Sequence, residues 1–250
     1  MSLEILSIEG FRIDGRRWNE LRHFTAKVDI DNFADGSSYV EQGNTKVICM
    51  VHGPIEPNTK SKVSLDRERI TIDISIAAFS SVERKKRTKS DKRIQEYVAC
   101  IQKVFEKAIQ TGLHPRSEIN ICIQVLAQDG GMFNRILQTC INAVSLALIN
   151  AGIPMYDYVS ASTVGSTDTD PLLDLNAVEE NSISWYTVAI LGKSEDIILL
   201  QTETRIHMEK FEHMLSLALH GCQQIYKIMD NMFLNVILEY ITFETSVKIY

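Results

Sequence analysis

Two carboxylates, Asp168 and Asp174, stand six residues apart in the stretch GSTDTDPLLDLNAVEE at 165–180, with Asp170 between them. Pro171 fixes its own φ and biases Asp170 toward extended backbone, so a turn running into a short strand is expected. An even separation along an extended segment puts Asp168 and Asp174 on the same side. Two carboxylates facing one pocket can hold a divalent cation through oxygen ligands, or supply general acid and base. The competing reading is structural: an acidic loop that opens a solvated helix, with Asp174 as its cap.

Two further features suit anions. Asp129-Gly130-Gly131 precedes an apolar helical pattern, and a helix start with glycine behind it presents free backbone N–H groups to a phosphate. Arg84, Lys85, Lys86, Arg87, Lys89, Lys92 and Arg93 fall within ten residues, opposed by Asp91 alone. That segment carries +6 in a chain of net charge −6, which leaves −12 on the remainder. An acidic body with one concentrated basic patch is a localised anion site or a solvated loop. A phosphate site, a basic track and a carboxylate pair together fit phosphoryl transfer on a polyanion, by hydrolysis or phosphorolysis of RNA or DNA.

Other chemistries find less support. His207, His213 and His220 lie along the last helical stretch without a His-Glu-x-x-His pattern. No Gly-x-Ser-x-Gly elbow, P-loop or dinucleotide fingerprint occurs. The five cysteines are widely spaced in apolar surroundings and read as buried thiols of a reducing compartment. No run of about 18 apolar residues exists to span a membrane, and the N-terminal residues lack a signal pattern.

The elements that must position these groups follow from periodicity. Residues 1–22 form an irregular arm with a turn at Asp14-Gly15, and Trp18 reads as its anchor or as part of an interface. Strands are expected at 24–30, 37–42 and 46–51, with Gly43-Asn44 as a hairpin turn and Gly53-Pro54 ending the third. Ile70, Ile72, Ile74 and Ile76 repeat with period two. Asp91 opens a helix lined by Ile94, Val98, Ile101, Phe105, Ala108 and Ile109 and closed at Gly112. A strand at 118–126 leads to a second helix with Ile136, Leu137, Cys140, Ile141, Val144 and Leu148 on its apolar face. Strands at 157–164, 186–190 and 197–200 precede a long amphipathic helix from about Met208, and the apolar tail after Asn231 extends it or packs on a partner. Strands then helices, twice, argue for an α+β protein of two packed, related halves, 1–152 and 153–250.

The motifs GFRIDGRRWNELR (10–22), DGSSYVEQGNTKV (35–47), FSSVERKK (79–86), LHPRSEINICIQVLAQDGG (113–131), NAGIPMYDYVSASTVGSTD (150–168) and PLLDLNAVEE (171–180) occur in an order that resembles the RNase PH family. Within it, the chain is most similar to an RNase PH-like subunit of the eukaryotic exosome core, of the type descended from the active archaeal ring subunit. The resemblance implies a duplicated βαβα fold of the ribosomal protein S5 domain 2 type. Active members degrade RNA from its 3′ end by attack of inorganic phosphate, releasing nucleoside diphosphates with Mg2+. Asp168 and Asp174 match the family's acidic pair, which holds the metal or acts as general acid. Lys92 and Arg93 match the pair that grips RNA phosphates; Arg84 and Lys85 extend that track. Lys60, Lys62 and Arg67 correspond to the RNA entry side.

One departure bears on catalysis. Active members follow Asp-Gly-Gly/Ala with Ser or Thr and then Arg, which bind the attacking phosphate; here Met132 and Phe133 stand there. About four extra residues precede Asn142, close to one helical turn, so the apolar face keeps its phase. Gly130, Gly131 and Arg135 therefore form a degenerate phosphate site. The resemblance implies a ring subunit without catalysis of its own, with Mg2+ and phosphate as cofactors only if it is active. Implied partners are paralogous RNase PH-like chains in a six-membered ring, S1/KH cap proteins, a hydrolytic exonuclease and single-stranded RNA, in nucleus, nucleolus and cytoplasm. The rival expectation is an active phosphorolytic RNase that uses Arg135 and the Gly130-Gly131 amides. A small-molecule kinase on the same broad fold would need a nucleotide loop that the sequence lacks.

Overall fold

The computed structural model describes residues 6–7, 10–56, 67–80, 84, 91–129, 134–167, 171–180, 182–194, 196–202 and 205–247. The first sheet comprises β1 (Phe24–Val28), β2 (Gly36–Gln42), β3 (Thr45–Ile55), β4 (Arg69–Ile76) and β5 (Glu118–Ala127), in the order β1-β2-β3-β5-β4. Neighbours are antiparallel except β4 and β5. A parallel pair requires a crossover, and α1 (Lys92–Ala108) supplies it. Ile70, Ile72 and Ile74 all point into the core, as their period-two spacing requires.

The β2–β3 hairpin turns at Gly43-Asn44, with Gln42 opposite Thr45. Gly43 has φ +58, and a Cβ there would stand 2.8 Å from Cδ of Arg22. Glycine is thus required twice over, by the turn and by the close approach of that arginine.

The second sheet has the order β7-β6-β8-β9, all antiparallel, from β6 (Val159–Ser166), β7 (Pro171–Leu173), β8 (Ser184–Leu191) and β9 (Asp196–Thr202). A short helix, α3 (Ala177–Glu180), separates β7 from β8. Between the sheets runs α2 (Asn134–Asn150), buried on every side from Ile136 to Leu148. Several of its polar residues bond the strands it touches. Asn142 donates to Ala161 O and accepts from Ala161 N, Ser145 Oγ donates to Val159 O, and Ala143 O accepts from Ser38. On the far face of β6 lies α4 (Met208–Val247), where Ser162 Oγ donates to Ala218 O. One apolar cluster joins the halves, reaching from Ile121 and Ile123 through α2 to Val159, Ala189 and Ile225.

Several boundaries differ from the sequence expectation. β3 does not stop at Gly53-Pro54 but continues to Ile55. β2 begins at Gly36, opposite Val51, so Pro54 runs past its end and the missing N–H costs no ladder bond on that side. α1 ends at Ala108, not Gly112: Ile109 turns extended, its N–H bonds Phe105 O, and it pairs with Met155. From Ile136 to Leu148 α2 has no solvent face. The tail after Asn231 continues α4. No helix among the described residues is long and apolar enough to cross a membrane, and the cysteines are unpaired thiols, three of them buried.

Candidate functional site

Asp174 follows the last residue of β7 and adopts φ +52, a left-handed conformation that aspartate tolerates better than most residues. The strand therefore ends before Asp174, so the extended geometry that would align it with Asp168 does not reach it. Asp168 itself lies outside the described residues. The cap reading fails too. Asp174 is completely buried, and α3 begins three residues later with Asn176 N donating to Glu179 Oε2 at 2.7 Å, while Glu179 and Glu180 are buried.

What holds Asp174 is the N-terminal arm. Arg22 donates to its carboxylate twice, from the backbone N to Oδ2 at 2.9 Å and from Nη2 to Oδ1 at 2.7 Å. Gln42 Nε2 reaches Oδ2 at 3.2 Å and Gln138 Nε2 reaches Oδ1 at 3.4 Å. The carbonyl of Asp174 accepts from Arg12 Nη2 at 2.9 Å and from both Nη atoms of Arg16 at 3.1 Å. Arg12, itself buried, also chelates the Glu179 carboxylate through Nε and Nη2 and donates to Leu173 O. The arm is pinned by these arginines and by Trp18 O, which accepts from Leu173 N at 2.8 Å. Trp18 is 43% exposed, and its carbonyl joins the arginines in anchoring the arm.

Burial alone would push the Asp174 carboxyl up. The adjacent Arg22 charge and the hydrogen bonds it donates outweigh burial and hold the carboxyl well below the usual carboxylate range. Burial likewise opposes the charge on Arg22, yet Asp174 and then Asp129 raise its pKa. For Arg16 burial and the neighbouring Arg12 prevail and lower it. Arg22 also approaches Asp129 Oδ2 at 3.7 Å, and Asp129 accepts from Asn44. One guanidinium thus links the carboxylate of Asp174 to that of Asp129. A cavity of about 420 Å³ beside this link is lined by Arg16, Arg22, His23, Asn44, Asp129 and Asn176, and Asp174 lies behind Arg22 with none of its surface exposed.

This arrangement does not fit a metal ligand. A divalent cation needs carboxylate oxygens with lone pairs turned toward it, whereas both oxygens of Asp174 accept from two donors each. Among the described residues no cluster of three His, Cys, Asp or Glu could hold a metal.

Two residues of the basic segment, Lys92 and Arg93, stand at the same end of the first sheet. Glu68 N, just before β4, donates to Thr111 O beyond the end of α1. α1 therefore runs opposite to β4 and starts where β4 and β5 finish, the end that carries Asp129. Asp91 caps it, its side chain accepting from Arg93 N at 3.3 Å. Lys92 and Arg93 are exposed on this first turn, and Arg84 is exposed nearby in sequence with φ +47. Cations here oppose the helix dipole, a local cost that suits a bound anion. Arg67 is exposed at the opposite end of the sheet. Lys60, Lys62, Lys85, Gly130 and Gly131 lie outside the described residues; Arg135 falls in the first turn of α2, with its side chain outside them.

Arg12, Arg16, Arg22, Gln42, Gln138 and Glu179 carry the site, and sequence reasoning gave none of them a role. A signal existed. Gln138 interrupts the run Ile136-Leu137 to Cys140-Ile141, and a polar residue in such a run predicts a buried partner.

The molecule is thus a mixed α+β protein of two sheets packed around a buried helix, with exposed cations at the start of α1 at one end of the first sheet. Two family models match in tandem: 3′ exoribonuclease family, domain 1 (RNase_PH), over residues 20–154, and domain 2 (RNase_PH_C), over residues 157–221. The chain belongs to the RNase PH family of 3′ exoribonucleases. It is 46% identical over 228 residues to "Exosome complex component ski6" of Schizosaccharomyces pombe, covering 91% of this chain and 93% of that protein. It is 44% identical over 230 residues to "Exosome complex component SKI6" of Saccharomyces cerevisiae, covering 91% and 92%. In three dimensions it is similar to Rrp46 of rice (Oryza sativa), with TM-score 0.78 at 24% identity, covering 88% of this chain and 99% of that one.

Proposed function

We propose that the chain is an RNase PH-like ring subunit of an RNA exosome core, serving 3′→5′ RNA processing and degradation by structuring the ring and its RNA channel, without catalysis of its own. The similarity over nine-tenths of the chain to proteins described as exosome complex components supports the assembly. The observation that carries the absence of catalysis is the state of Asp174. The carboxylate that in active relatives serves metal or acid chemistry is here buried and saturated by Arg22, Gln42 and Gln138. Met132-Phe133 in place of the phosphate-binding Ser/Thr-Arg supports the same conclusion, because phosphoryl transfer depends on positioned donors around the reacting phosphate.

In this proposal Asp168 and Asp174 are remnants of an ancestral pair, and Gly130, Gly131 and Arg135 a degenerate phosphate site. Lys92, Arg93, Arg84, Lys85 and Lys62 track RNA phosphates, releasing counterions as they bind. The partners are paralogous RNase PH-like chains, S1/KH cap proteins and a hydrolytic exonuclease, in nucleus, nucleolus and cytoplasm. The halves divide at 152/153, directly after the turn that closes α2. Native mass spectrometry of the tagged protein from its own cells tests the assembly: a heteromeric complex with other RNase PH-like chains is expected, and a homohexamer would overturn it.

A further inference from the structure

Phe79 is 70% exposed on a short 3-10 turn, Ala78–Ser80, immediately ahead of the basic segment. Single exposed apolar residues are ordinary on protein surfaces; its seat sets this one apart. Ala77 N donates to Val125 O at 3.0 Å, Ser80 N to Ala77 O at 3.0 Å, and Gln128 N to Ser80 O at 3.1 Å. The turn is therefore clamped to the last residues of β5, one residue before Asp129. Its backbone is held before any ligand arrives, so little ordering entropy is lost when the ring makes a contact.

The strand directions place this ring. β4 and β5 run parallel and finish together, Ile76 opposite Val125. α1 runs back from that end, so Lys92 and Arg93 on its first turn stand at the Phe79 end of the sheet. Asp129, Arg22 and the Gly43-Asn44 turn are at this end as well, because Gln42 pairs with Thr45 and Lys46 with Ala127. Phe33, 95% exposed, provides the contrast. It sits between β1 and β2, where Gly36 meets Val51, at the other end of the same sheet. An eight-residue strand such as β4 spans roughly 26 Å, which separates the two rings by about that length.

We propose that Phe79 is a base-stacking platform for single-stranded RNA, working with the exposed cations at the start of α1. A basic track that holds the backbone beside an aromatic face that stacks a base is the general solution to binding single strands without sequence preference. The charge argues for this occupant: the chain as a whole is acidic, and the +6 segment begins five residues after Phe79. Phe79 is a positioning residue here, setting the strand's register past Lys92 and Arg93. The proposal rests on the RNA-path reading given above.

The test measures affinity of the assembled complex for single-stranded oligoadenylate and for a ribose-phosphate oligomer of equal length lacking bases. Phe79→Ala is expected to weaken oligoadenylate binding about tenfold, within the range for loss of one stacked base, while leaving the base-free oligomer unchanged. Phe79→Trp is expected to restore binding, and Phe33→Ala to alter neither. If Phe79→Ala binds like the unaltered complex while Lys92→Ala/Arg93→Ala binds more weakly, stacking is wrong and the RNA path stands. If the double variant also binds unchanged, or the unaltered complex binds no RNA, the RNA path falls and the platform with it. Dissociation of the Phe79→Ala complex on size exclusion would make Phe79 a subunit contact and overturn the proposal.

Discussion

Asp174, which meets Arg22 and Gln42 at one end of the first sheet, and the start of α1 at that same end are opposites in state. The carboxylate has no exposed surface and accepts from four donors. Lys92 and Arg93 project from a capped first turn into solvent. In the proposed reading both match positions that serve chemistry in active relatives; of the two, only the basic pair is exposed. Asp174 is part of the packing of the arm against the second sheet, where its charge stabilises Arg22.

If that contrast is right, the largest effect belongs to the buried partner. Asp174→Asn should cost about 3–5 kcal/mol of stability, because it leaves the Arg22 guanidinium buried beside a neutral group. Urea denaturation of the full chain reads this directly. A loss below about 1 kcal/mol would mean that Asp174 is not the structural hub described here. Lys92→Ala/Arg93→Ala, at exposed positions, should change stability by no more than about 0.5 kcal/mol.

The pH dependence sharpens the same comparison. The folded carboxyl of Asp174 titrates below its unfolded value of about 3.9. Its contribution is therefore present in full above that pH and is lost as pH falls through the folded value. Stability measured by denaturation should drop below about pH 4, and Asp174→Asn should flatten that acid limb. Lys92→Ala/Arg93→Ala should leave the acid limb as it is.

The smallest effect on the fold is the clearest on binding. For single strands the logarithm of the binding constant falls with the logarithm of salt concentration by about 0.7 per phosphate neutralised. Removing both Lys92 and Arg93 should lower that slope by about 1.4 in a salt titration with single-stranded RNA. An unchanged slope would place the phosphate contacts elsewhere.

The sequence carried the strands well because their signal is local. Ile70, Ile72 and Ile74 point inward whatever lies opposite, and Gly43-Asn44 makes its turn from its own backbone freedom. Asp91 likewise declares the start of α1. The burial of α2 on all sides was not legible, since Asn142 and Ser145 look like a solvent face until β6 is placed against them. Asp174 was misjudged in both of its local readings for the same reason: its partner Arg22 lies 152 residues away in the chain. Spacing within 165–180 holds no trace of that distance.

The most direct test of a silent acidic site is product analysis of the purified complex on 3′-tailed RNA, with and without inorganic phosphate. Any hydrolytic exonuclease that co-purifies must be removed or inactivated. No phosphate-dependent release of nucleoside diphosphates is expected. Release that requires phosphate and disappears with Arg135→Ala would contradict the account and make this chain an active phosphorolytic subunit.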